Sequence, residues 1–171
     1  MTAPDRILTG DRALDDIRTI IEAYRLGPHP EGGWFREFHR SGRSVDPLAG
    51  YPGERAAVTA IYFLLTKETY SAFHRLRSDE IWIHLAGAPL SLVLLDPGAR
   101  ILRLAAAADG GPPALVVPAG TLQAARTDGA YALAACVVAP GFDYADFEMP
   151  PREALLREYP GHADLIRALT R

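Results

Sequence analysis

From residue 57 onward the chain consists of short apolar runs separated by polar or glycine- and proline-rich stretches. The runs fall at 58–65, 71–76, 81–85, 90–95, 101–104, 114–117, 123–126 and 131–138. Runs this short, recurring at this spacing, predict the strands of an all-β sandwich or barrel. Pro97-Gly98, the cluster from Gly110 to Pro113, and Asp128-Gly129 read as the turns between them. An earlier strand is predicted at 34–40, where Trp34, Arg36 and Phe38 alternate with Phe35, Glu37 and His39. On that strand either Arg36 or Glu37 lines a pocket, or the charges form cross-strand ion pairs at the surface.

Helical spacing appears only at the two ends. Leu14, Ile17, Ile20, Ile21 and Tyr24 predict an amphipathic helix over 11–26, stopped by Gly27 and Pro28. Residues 151–159 and 162–169 repeat the pattern, with Pro151 at a first helical position and Pro160-Gly161 between them. His162, near a helix start, reads as a surface histidine. Between the first helix and first strand, two prolines and Gly32-Gly33 exclude helix and make 28–33 either a tight connection or a binding loop. Residues 41–54, rich in Gly and Pro, read as a long loop. The architecture expected is mainly β and one domain over 1–171: helix 11–26, a jelly-roll barrel over 34–138, and short C-terminal helices within 151–169.

Composition narrows the classes of function. At 171 residues, 49% hydrophobic and 23% charged, the chain has the makings of a packed core rather than of disorder. A net charge of −3, with scattered basic residues that are arginine apart from Lys67, gives neither nucleic acid nor an anionic membrane surface a patch to bind. No stretch reaches the ~18 apolar residues of a membrane helix, and the first residues carry charges without an apolar core, so a cytoplasmic location is expected. The single cysteine, Cys136, lies in an alternating apolar run and reads as a buried core thiol.

Candidate chemistry concentrates at 74–87, which holds His74, Glu80, Trp82 and His84 between two predicted strands. With a period of two, Ala72, His74 and Leu76 share one face, as do Glu80, Trp82, His84 and Ala86. Arg77, Ser78 and Asp79 have turn chemistry, so a three-residue hairpin is expected, pairing Leu76 with Glu80 and His74 with Trp82. His74 would then lie diagonal to the Glu80 carboxylate, a base or a metal ligand beside an acid.

The spacing of His74, Glu80 and Gly87 resembles the first motif of the cupin superfamily, and Pro118, Gly120 and Gln123 resemble the second. Together with Pro28 to Gly33, Phe35 to Glu37, and Ala139 to Asp143, the pattern is similar to a cupin family of unknown function, the "cupin five" family. The resemblance implies a double-stranded β-helix, or jelly roll, and a homodimer, an assembly that open sheet edges also favour. The usual cupin metal site has three histidines and a glutamate. This chain keeps His74 and Glu80, but carries Leu76 and Gln123 at the other two positions. His84 cannot substitute, because four residues along a strand place it about 13 Å from Glu80.

Three functional readings follow. The favoured one is a small-molecule-binding cupin, acting as a metal-independent isomerase or epimerase on a sugar or nucleotide derivative. In it His74 is the base, Glu80 raises its pKa, and Tyr62, Tyr131 or Tyr144 supplies an acid. The alternatives are a metal-dependent dioxygenase or lyase and a non-catalytic binding protein. Trp82, His84, Gln123, Tyr62, Phe63 and Arg36 are the expected ligand-binding residues. No tightly held cofactor is expected, His74, Glu80 and Gln123 being at most weak divalent-metal ligands. A bland account also stands, in which His74 and Glu80 satisfy one another within a polar barrel core.

Overall fold

The structure, a computed structural model, describes residues 10–46, 49–95 and 98–171. Residues 1–9, the loop positions 47–48, and Pro97 of one predicted turn lie outside them. Two antiparallel sheets face one another as a jelly roll. Strands β1 (Gly27–Pro28), β2 (Trp34–Arg40), β5 (Thr59–Thr66), β7 (Asp79–Gly87), β10 (Ala114–Val117) and β12 (Tyr131–Ala139) form the first, in the order β1-β2-β5-β12-β7-β10. The second has β6 (Tyr70–Leu76), β8 (Leu90–Leu95), β9 (Ala99–Leu104), β11 (Leu122–Thr127) and β13 (Phe147–Glu148), in the order β13-β6-β11-β8-β9. A two-residue pair, β3 (Ser44–Val45) with β4 (Arg55–Ala56), bounds the long loop.

Alternation along the strands separates the molecule into three apolar layers. Phe63, Leu65, Trp82, Leu92, Leu94 and Ala134 point between the sheets and form the central core. The outer face of the six-stranded sheet, with Leu64 and Leu133, is covered by Ile17, Ile20, Ile21 and Tyr24 of helix α1 (Gly10–Tyr24). The outer face of the five-stranded sheet, with Phe73, Val93 and Ala124, is covered by Leu155 of α2 (Arg152–Glu158) and Ile166 of α3 (Ala163–Ala168). Each helix therefore buries the apolar stripe its spacing displays against a sheet that would otherwise expose it. Cys136 lies in the central core, 1% exposed. Among the described residues no helix is long and apolar enough to cross a membrane.

The hairpin expected across Arg77-Ser78-Asp79 does not form. β6 pairs with β11 and β13, whereas β7 pairs with β12 and β10, so the chain crosses from one sheet to the other at residues 77–78. His74 is paired in register with Gln123 rather than Trp82. Turn chemistry says that a chain reverses; which strand it then joins is decided by burial on both sheets.

Candidate functional site

A cavity of about 440 Å³ opens between the two sheets at the end where this crossing occurs. Its wall includes His74 and Leu76 from β6, Glu80 from β7, Thr59, Ile61 and Phe63 from β5, and Cys136 and Val138 from β12. His29 and Glu31, from the turn before β2, complete its floor.

Two β-bulges aim side chains into this space. Between Gln123 and Ala125 the β6 partner advances from His74 to Ser71, so one extra residue on β6 lets residues three apart, Ser71 and His74, both face inward. Between Glu37 and His39 the β2 register slips in the same way, and Glu37 and Arg40 come to share the cavity mouth. Arg40 binds Glu37 through two hydrogen bonds of 2.9 and 2.7 Å and donates to the Phe142 carbonyl at 3.2 Å. Phe142, Tyr144 and Phe147 form the rim, their ring centroids 5.0–6.2 Å apart. The rim segment is fastened by the Asp146 carboxylate, which accepts from Arg55 at 2.6 and 3.1 Å.

The 29–33 turn reaches the floor because of its glycines. Gly32 and Gly33 have φ of 119° and 69°, and a Cβ on Gly33 would stand 2.6 Å from the Leu64 carbonyl oxygen. Only glycine allows that approach without strain. The Glu31 carbonyl accepts from the Ala72 amide at 2.9 Å, and its Oε1 accepts from the Ser71 hydroxyl at 2.8 Å. Its other oxygen, Oε2, lies 3.3 Å from His74 Nδ1 and 3.7 Å from His29 Nδ1.

His74 is 2% exposed, and its Nδ1 lies 2.8 Å from the Ala72 carbonyl oxygen, which can only accept. The proton of the neutral ring therefore sits on Nδ1, leaving Nε2 as the basic nitrogen. Burial lowers the His74 pKa, against the Glu80 charge and the Ala72 hydrogen bond, which raise it. Burial pushes His29 down to about 4 and Glu31 up to about 8. Glu80 is raised to about 7, first by burial and also by the charge of Glu31, while His74 and the hydrogen bond from Gln123 oppose the shift. Two carboxyls whose proton affinity is raised toward neutral pH thus share one site with an imidazole whose affinity is lowered.

The sequence-predicted residues divide sharply. His74, Glu80, Phe63 and Tyr144 line the cavity. Trp82 and Gln123 stand behind it: Gln123 donates to Glu80 Oε2 at 2.6 Å and accepts from Trp82 Nε1 at 3.1 Å. They hold Glu80 in place rather than facing a ligand. His84 does not join the site, its ring bonding the Ala88 carbonyl at 3.0 Å. Arg36 and Tyr62 are corrected outright, since they point to the helix side of the six-stranded sheet. There Tyr62 packs on Tyr24 and Phe38, with Arg36 5.7 Å from its ring. Tyr131 also packs on that outer face. The choice between Arg36 and Glu37 resolves to Glu37, because Arg36 falls on the face occupied by α1.

His29 and Glu31 are the residues that sequence reasoning missed. Their signal was the adjacent Gly32-Gly33, which marks a close backbone approach without saying to what.

The usual cupin metal does not fit these donors. Leu76 contributes an apolar wall, and both ends of the Gln123 amide are engaged. Among the described residues no group of three or more His, Cys, Asp or Glu is placed to hold a metal ion.

Residues 18–150 match the family described as cupin superfamily (DUF985). A hypothetical protein from Leishmania major is 35% identical, with a TM-score of 0.80 over 90% of this chain and 97% of that one. A protein from Shewanella oneidensis is also 35% identical, with a TM-score of 0.81 over 89% and 95% of the two chains. A cupin 2 domain-containing protein from Halorhodospira halophila shares the fold at 17% identity, with a TM-score of 0.54 over 85% and 87%. No protein of curated function matches the sequence.

Proposed function

The chain belongs to the DUF985 family of the cupin superfamily, and we propose that its cavity binds a small polar metabolite and moves a proton on it, as an isomerase or epimerase does. The observation that carries this reading is the buried contact of His74 Nδ1 with Glu31 Oε2 at 3.3 Å, beside Glu80, in a cavity of about 440 Å³. Burial keeps His74 neutral, so that its Nε2 is free to take a proton from carbon next to a carbonyl. Glu31 and Glu80, raised by burial, are carboxylic acids for part of their population near neutral pH. Either can donate to the oxygen on which negative charge develops. In the second half the proton held by His74 goes to carbon, the same one for an epimer or its neighbour for an isomer. An enediol O–H returns a proton to the carboxylate, so both groups end as they began. The mass balance is a rearrangement and needs no added oxidant or reductant.

Aromatic and aliphatic walls provide the apolar bulk of a metabolite site, and a few convergent polar groups provide its orientation. A homodimer belongs to the same proposal. Ile81 and Val116, partners across β7 and β10, are 38% and 54% exposed on the outer face of the six-stranded sheet and offer a second copy an apolar surface. Sedimentation equilibrium should give twice the chain mass, and a concentration-independent monomer would remove the dimer.

The experiment for the activity is a thermal-shift screen of sugars, nucleotide derivatives and organic acids, followed by incubation of each ligand found in D₂O. Deuterium should enter the ligand carbon with the wild type and fail to enter with His74→Ala. A bound carbonyl compound that exchanges no hydrogen would remove the catalytic half of the proposal.

A further inference from the structure

The charge of the cavity specifies its ligand more narrowly than its shape does. Four acids line it, Glu31, Glu37, Glu80 and Asp143, against a single guanidinium, Arg40. Arg40 is already committed, with two hydrogen bonds to Glu37 and its terminal nitrogens on the Phe142 carbonyl. Among the described residues the site therefore offers an anion no uncommitted guanidinium or ammonium, and Asp143 at the rim would repel it.

We infer that the metabolite carries a cationic nitrogen, and that its ammonium group is seated between the carboxyls of Glu31 and Glu80. The inference rests on the reading that this cavity is the ligand site. Glu31 and Glu80 are 5% and 6% exposed, and neutral groups donate hydrogen bonds to their carboxyls, among them the Ser71 hydroxyl and the Gln123 amide. Burial of a carboxylate without a positive partner is costly, and each of these two makes the other worse. An ammonium between them relieves the penalty of ionising one carboxyl while the other stays protonated. Phe35, Phe63, Phe142, Tyr144 and Phe147 line the cavity, and aromatic rings attract a cation to their π faces.

The other groups facing this pair are accounted for. His29 and His74 are held neutral by burial, and Cys136, beside Glu80, is a thiol raised further by both carboxyls. Arg171 approaches Glu31 from behind the 29–33 turn, where its guanidinium donates to the Pro30 carbonyl at 3.1 Å. It lowers the Glu31 pKa without overcoming burial. At neutral pH the free carboxyls hold protons, and an ammonium would expel one of them, leaving the second carboxyl protonated to act as the acid. Ligand affinity must then rise with pH through the first of these ionisations, and binding must release one proton to solvent.

The test compares glucosamine with glucose, and 2-aminoethanol with ethylene glycol, pairs that differ by an ammonium in place of a hydroxyl, with N-acetylglucosamine as the neutral amide and glucose 6-phosphate as the anion. The amines should raise the melting temperature of the wild type and their neutral partners should not. The amine effect should vanish in both Glu31→Gln and Glu80→Gln, each judged against its own ligand-free melt. If Glu31→Gln does not fold, Glu80→Gln decides. Glucosamine affinity should rise about tenfold from pH 6 to pH 7 for one proton released. Calorimetry in buffers of different ionisation enthalpy should detect that proton. Equal stabilisation by glucose or by the phosphate, no shift with any amine, an amine shift that survives in the carboxamide variants, or a response to Mn²⁺ or Zn²⁺ in place of the amines would overturn the inference. A neutral sugar that binds and takes up deuterium would overturn it while leaving the proton-transfer reading intact.

Discussion

His74 Nδ1 and Glu31 Oε2 lie 3.3 Å apart, joining the inward face of β6 to a glycine-hinged turn that precedes β2. The contact makes Glu31, rather than Glu80 alone, the acidic neighbour of the histidine. It also brings two groups whose burial shifts act oppositely on the pH dependence of stability.

Stability should fall as pH rises above about 6.5. Glu31 and Glu80 have folded pKa values of about 8 and about 7 against 4.5 ordinarily, so between 4.5 and those values the folded chain holds protons the unfolded chain has lost. Their contribution therefore declines with rising pH through that window. His29, lowered from 6.5 to about 4, does the reverse between those limits, as does His74 in the same direction. The two effects oppose one another below 6.5, and the carboxyls act alone above it. Melting curves should drop between pH 6.5 and about 8.5, by about 2–4 °C per kcal/mol lost. The double variant Glu31→Gln, Glu80→Gln should flatten the decline; an unchanged slope would mean that these carboxyls ionise freely.

Gly33→Ala should destabilise the protein and disable the site together. The new Cβ meets the Leu64 carbonyl oxygen and Leu65 Cδ2, both at 2.6 Å, on a backbone with φ of 69°. A loss on the order of 2 kcal/mol is expected in chemical denaturation. Ligand shifts should be lost because Glu31 is displaced. A variant as stable as wild type would show that the turn can retreat.

Gln123→Leu should cost ~1–3 kcal/mol for each polar group it orphans, here the Trp82 indole N–H and the Glu80 carboxyl. Denaturant titration measures the loss, and Trp82 fluorescence reports on the altered surroundings. Gln123→Glu keeps an acceptor for Trp82 but sets a second acid against Glu80, and should be more pH-sensitive than wild type.

Tag-free protein should contain no stoichiometric divalent metal, and a strong chelator should leave its melting temperature unchanged. The reason is donor chemistry: Leu76 supplies no lone pair and the Gln123 amide is spent on Glu80 and Trp82. Near-stoichiometric iron, manganese, nickel or zinc with a chelator-induced fall in melting temperature would restore the metal-dependent alternative.

Much of the architecture is local and was legible in the residue order. Period-two apolar runs placed the strands, with β2, β8 and β10 at the expected bounds, because burial of one strand face depends only on alternation. Helical stripes ending at Gly27 or beginning near Pro151 placed the covering helices, and the spacing of His74, Glu80 and Gly87 pointed to the cupin barrel. What alternation cannot encode is the partner of each strand or the position of a bulge. The crossing at 77–78 put His74 and Glu80 on opposite sheets. One extra residue in β2 turned Arg40 inward, and alternation left Arg36 on the helix-covered face. His29 and Glu31 joined the site only because packing drew their glycine turn under β6, where the Ala72 amide and the Ser71 hydroxyl could satisfy Glu31. Those pairings are contacts between distant parts of the chain, so their energy exists only once both sheets are assembled.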